Sequence, residues 1–213
     1  RGLIDVMAPL VQNNYNVNLE ELAQAYAVAV RSQRLAKEGK ETPAGAKSLA
    51  VLEAEIAKYT NPETGQPIIK EWYSAWQAYN AKTIQFLRDT GVLDAETAQV
   101  WADQSDYVPF YRQLEEEGGS QMPPVFTGMT SAANFKALKG GDTAVNVPLL
   151  EAVTRNLNAA IHMGMKNVAQ QRIVRDMSKM GLAYEVKGDM KAKNVISFRV
   201  DGKNRKFSLS DPL

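Results

Sequence analysis

Residues 148–181 read PLLEAVTRNLNAAIHMGMKNVAQQRIVRDMSKMG, and this stretch decides the fold class. Leu149, Val153, Leu157, Ile161, Met165, Val168, Ile173 and Met177 recur mostly at three- and four-residue steps, with one of five between Val168 and Ile173, close to the spacing that places side chains along one side of an α-helix. Pro148 is tolerated at the start of a helix, and Gly181 can end one in the left-handed conformation. A single helix of about nine turns cannot bury its seam alone, so other helices must pack on it.

Working toward the N-terminus, the same period returns four times. Asn18 is an N-cap candidate before Leu19, Leu22, Ala23, Tyr26 and Val30, a pattern that runs to about Lys37 and stops before Gly39. Ser48 to about Tyr59 carries Leu49, Leu52 and Ile56. Asn61-Pro62-Glu63-Thr64-Gly65 is turn chemistry. Pro67 opens a third helix lasting to about Asp89, with Ile69, Trp72, Trp76, Tyr79 and Phe86 as its large apolar residues and Gly91 as its C-cap. Trp72 and Trp76, one turn apart, read as core. Asp94 can cap a shorter helix through Val100 and Trp101. Leu3–Val11 is a further amphipathic stretch.

Toward the C-terminus the period changes. Val195–Val200 is rich in β-branched residues, Asp201-Gly202 is a strong two-residue turn signal, and Arg205–Leu209 can return as a second strand. The expected fold is therefore mainly α: a bundle-like domain of five or six helices, a long Pro/Gly-rich crossover loop and a C-terminal β-hairpin. Its regions are 1–104 (helical), 105–147 (irregular crossover) and 148–213 (long helix plus hairpin). Both ends read as cuts in a much longer chain.

Composition narrows the chemistry. The 213 residues include no cysteine and one histidine, and the formal net charge is +1. A disulfide scaffold, a thiolate nucleophile and a Cys- or His-rich metal site are excluded. No apolar run reaches the roughly 18–20 residues that span a bilayer. Charge is uneven along the chain: residues 162–213 hold 11 basic against 5 acidic side chains. Arg199, Lys203, Arg205 and Lys206 are therefore candidate nucleic-acid contacts.

Individual motifs favour structural roles. His162 has no second histidine with which to form a metal pair. In Lys139-Gly140-Gly141 the lysine precedes the glycines, the reverse of a phosphate-binding loop, so a turn is the simpler reading. Asp103, Asp106 and Glu115-Glu116-Glu117 lack the alternation of a calcium loop, and the run of three Glu reads as a solvated surface. Tyr107, Phe110, Tyr111 and Arg112 could stack on single-stranded nucleic acid, but such a segment more often anchors a loop on helices.

The ordered set Tyr107-Val-Pro-Phe-Tyr-Arg112, Leu138-Lys-Gly-Gly141, Pro148-Leu149, the asparagines Asn156, Asn158 and Asn167, and Asp201-Gly202 with Asp211-Pro212 resembles one of the large polyvalent protein-associated domains (type thirty-eight) of giant phage and mobile-element proteins. The resemblance covers roughly residues 95–213. It implies that Tyr107, Pro109, Tyr111, Arg112, Lys139, Gly140 and Gly141 are structural or interface residues, and it carries over no catalytic, cofactor-binding or metal residue. It further implies a noncatalytic structural or assembly segment of a large bacteriophage virion protein, internal or ejected into the host cell with the genome. The expected partners are other virion proteins or copies of the chain itself, with DNA as a further candidate. Two rival expectations are a helical support region of a phage-encoded enzyme, such as a virion polymerase, and a nucleic-acid-binding module using the basic C-terminal part.

Overall fold

The computed structural model describes residues 2–42, 46–103, 106, 108, 148–186 and 194–210. Among them lie six helices, α1 (Leu3–Val11), α2 (Leu19–Lys37), α3 (Leu49–Ile56), α4 (Ile68–Asp89), α5 (Ala95–Asp103) and α6 (Leu149–Lys179). Three strands follow, β1 (Ala183–Val186), β2 (Val195–Val200) and β3 (Lys203–Leu209). The fold is mainly α, as the periodicity predicts. No helix among the described residues is long and apolar enough to cross a membrane. The crossover segment, apart from Asp106 and Val108, lies outside the described residues.

Helix ends obey the predicted punctuation. The Asn18 side chain accepts from the Glu20 and Glu21 amides at 3.1 and 3.2 Å, satisfying two donors that the first turn of α2 leaves open. The Pro67 carbonyl takes the first bonds of α4 from Lys70 and Glu71. Gly91 (φ 77°) and Gly181 (φ 70°) stop α4 and α6 in the same way: the residue beyond each glycine, Val92 or Leu182, donates back to Leu87 or Met177 at 2.9 Å. That closure requires a left-handed residue, which glycine adopts without a Cβ penalty.

Compactness groups the chain across its sequence order. One unit takes Arg1–Ala81 with Ser105–Leu157, the other Lys82–Gln104 with Asn158–Leu213. In the first unit, Val6, Met7 and Leu10 of α1, Leu19, Ala23, Tyr26 and Ala27 of α2, Ile56 of α3, and Ile68, Ile69, Trp72, Tyr73 and Trp76 of α4 form one core with Val108, Leu149 and Val153. Trp72 and Trp76 are core, as read; the Trp72 indole N–H donates to Met7 Sδ at 3.5 Å. Tyr15 stands edge-on to Tyr59 at 5.2 Å and its hydroxyl donates to the Thr60 carbonyl at 2.7 Å, fastening the turn that leads into α4.

In the second unit the predicted hairpin is present, with Asp201 (φ 47°) and Gly202 (φ 73°) as a type I′ turn. It is not alone, however. The sheet has three antiparallel strands in the order β1-β3-β2, with Ala183 opposite Leu209 and Val186 opposite Lys206. The expectation of a two-stranded hairpin missed β1 because four residues are too few to show a period; pairing with β3 defines this strand. The third strand also supplies part of the support that a lone hairpin lacks in water.

The expected seam of α6 needs a larger correction. Leu149 and Val153 are buried, Leu157, Val168 and Met177 are half-buried, and Ile161, Met165 and Ile173 are exposed. The buried line of the same helix within the second unit is Ala160, Gly164, Asn167 and Val174. Small and polar residues occupy it because their neighbours are a ring edge and backbone carbonyls. A Cβ on Gly164 would sit 2.5 Å from the Phe86 ring.

Candidate functional site

Of the residues singled out by the sequence, Tyr107, Pro109, Tyr111, Arg112, Lys139, Gly140 and Gly141 lie outside the described residues, as do Phe110 and Glu115–Glu117. Asp106 and Val108, from the same stretch, are described and buried. Asp106 is ion-paired. Its Oδ2 accepts from Arg34 Nε at 2.8 Å, while Arg34 Nη1 reaches Glu38 Oε1 at 2.7 Å and Lys40 closes on the other Glu38 oxygen at 2.7 Å.

This network is the strongest polar constellation of the first unit. Arg31 is also buried there, as is Tyr73, whose hydroxyl has no hydrogen-bond partner among the described residues. Burial pushes the Tyr73 phenol well above its ordinary pKa, and the negative charge of Asp106 adds to the effect. The hydrogen bond to Asp106, ahead of that to Glu38, raises Arg34 in turn. A phenol held neutral and a guanidinium held charged can bind or position. They do not supply a general base at neutral pH.

The second unit carries a different arrangement. Asn167 Nδ2 donates to the Thr90 carbonyl at 2.8 Å and to the Arg199 carbonyl at 2.9 Å, and its Oδ1 accepts the Arg199 amide at 2.7 Å. Gln171, one turn later, donates to the same two carbonyls at 3.2 and 2.9 Å. The hairpin turn is held as well: Gly202 N–H donates to the Gly91 carbonyl at 3.1 Å. Asp94 lies against Gly202 while capping α5 through the Thr97 amide at 2.7 Å. That amide bond, helped by the Thr97 hydroxyl, holds the Asp94 carboxyl below the usual carboxylate range.

The four cations named as nucleic-acid contacts do not share a face. The strand register places Arg199 and Lys206 on one side of the sheet and Lys203 and Arg205 on the other. Arg205 is bound at both ends of its fork by Glu185, at 2.8 and 2.6 Å, and lies 5.3 Å from the centre of the Phe207 ring. Phe207 in turn stacks on Phe198 at 5.3 Å. His162 and Asp103 are exposed. Among the described residues no group of three or more His, Cys, Asp or Glu side chains is placed to hold a metal ion.

Sequence reasoning found Arg199 and Arg205 only as charges and missed what their backbone and side chains are tied to. Asn167 entered only through the family resemblance, and Gln171 and Arg34 were not singled out. Asn167 lies off the apolar seam of the helix, beside Val168, so periodicity carried no signal for it. Comparison with protein families, with curated proteins and with solved structures gives no match.

Proposed function

We propose that this chain is a noncatalytic structural or assembly segment of a large bacteriophage virion protein, internal or ejected with the genome. The observation that carries the noncatalytic part is where the buried hydrogen-bonding side chains are spent. Asn167 and Gln171 hold the backbone of Thr90 and Arg199, and Asp106 holds Arg34. These groups fix geometry and leave helix exteriors to meet other proteins. The virion setting rests on the family resemblance.

Helices held by burial, with no disulfide to reduce, suit a protein that must pass a narrow conduit. The test is fractionation of infected cells. The parent protein is expected in the host fraction after genome entry, and its absence there removes ejection from the account.

A further inference from the structure

On the outward side of α6 the chain continues a helix-pairing pattern that nothing described covers. Ile161, Met165, Val168, Arg172, Arg175 and Lys179 are separated by steps of four, three, four, three and four residues, the spacing of the contact seam of paired helices. At 100° per residue they fall within roughly 80° of one another, along about 27 Å of helix. Ile161 and Met165 are 43% and 58% exposed, Val168 is half-buried, and the three cations are exposed. Single exposed apolar residues are ordinary, but three in register, extended by three cations in the same register, form an ordered face.

We infer that this face docks an amphipathic helix of a partner protein that is apolar at one end and acidic at the other. Charge complementarity selects that occupant. Asp176, which pairs with the cationic half, lies 3.4 Å from Arg175 and 3.9 Å from Lys179, both as exposed pairs, which contribute little and exchange readily. Arg172 and Lys179 in register with acidic residues would set orientation and exclude basic partners, while Ile161, Met165 and Val168 would supply the buried contact. A second copy of α6 fits less well, since pairing the cationic halves side by side opposes like charges. The inference deepens the assembly reading by naming the partner's chemistry.

The test uses the full chain and fluorescein-labelled synthetic helical peptides, read by anisotropy. Each peptide carries three Leu and three Glu at seam positions, in both orders, with Lys-for-Glu peptides as controls. One Glu peptide is expected to bind, at least tenfold tighter than its Lys control. Met165→Asp should weaken it at least tenfold, and Arg172→Glu with Lys179→Glu should reverse the preference toward Lys. All these positions are exposed, so the circular dichroism of each variant should match the parent. Failure of both Glu peptides, or equal binding by the charge-reversed variant, overturns the inference. So does binding to phosphatidylserine vesicles in place of peptide, or a dimer abolished by Met165→Asp. None of these results alters whether the parent protein is a particle component, so the two claims fail separately.

Discussion

The side chain of Asn167 binds the backbone of Arg199 as a neighbouring strand would. Its Oδ1 takes the Arg199 N–H at 2.7 Å and its Nδ2 gives a hydrogen to the Arg199 carbonyl at 2.9 Å. In the register of β2 with β3, Arg199 is a residue whose backbone groups point away from the hairpin partner. The amide therefore completes the outer edge of β2 with a helix side chain, which also blunts that edge as a site of unwanted strand pairing. Asn167→Ala leaves the Arg199 N–H without its partner, at about 1–3 kcal/mol in water-poor surroundings, while Gln171 still donates to both carbonyls. We expect a loss of about 1–3 kcal/mol in urea unfolding and rapid hydrogen exchange at the Arg199 amide. An unchanged exchange rate would show that the clamp does not hold the strand.

Two glycines separate backbone strain from crowding. Gly39 and Gly202 have similar positive φ, 66° and 73°. A Cβ on Gly39 meets nothing within 4 Å, whereas on Gly202 it would lie 2.6 Å from Asp94 Oδ2 and 2.9 Å from the Asp94 amide. Gly39→Ala should cost about 1 kcal/mol from conformation alone. Gly202→Ala should cost at least about 1 kcal/mol more, measured as the difference between the two variants. Equal losses would refute the contact with Asp94.

Gly164 sets an opposing pair of effects. Alanine is favoured over glycine inside a helix by about 1 kcal/mol, but its methyl would enter the Phe86 ring at 2.5–2.7 Å. Overpacking typically costs about 1–3 kcal/mol, so Gly164→Ala should be net destabilising. Restoration of stability by Phe86→Leu in the same chain would identify the ring as the cause.

Tyr73 carries a pH prediction. Its hydroxyl is buried without a hydrogen-bond partner among the described residues, so Tyr73→Phe should be neutral or stabilising by up to about 1 kcal/mol, unlike most tyrosine-to-phenylalanine changes. The folded phenol titrates above the ordinary value of 10.0. Its neutral form is thus favoured by folding, and the contribution is full below that value and lost as pH rises beyond it. Wild-type stability should fall above about pH 10, and the Phe variant should lose less over the same range. Parallel curves for the two proteins would contradict this placement of Tyr73.

What was legible in the sequence follows from which physics is local. Asn18, Gly91, Asp94, Gly181 and Asp201-Gly202 act on neighbours a few residues away, and each does in the structure what its residue type predicts. The stripes of α2 and α4 pack against apolar partners, so periodicity located their buried sides. On α6 it failed, because the partners of Asn167 and Gly164 are the carbonyls of Thr90 and Arg199 and the edge of Phe86, all distant in sequence. An apolar pattern cannot announce a buried face made of asparagine, glycine and alanine. The pairs Arg34–Asp106 and Arg205–Glu185 were equally hidden, since any cation in a chain of balanced charge has many acidic suitors.

The central claim is that this chain acts by joining surfaces, with its buried polar groups committed to holding its own backbone. Its most direct test is the copy number of the parent protein in density-purified phage particles, counted by quantitative mass spectrometry with labelled peptides from the described helices. A fixed ratio to the other particle proteins, persisting through repeated purification, is expected. A parent protein confined to infected-cell lysate, absent from particles and turning over a substrate there, would contradict it.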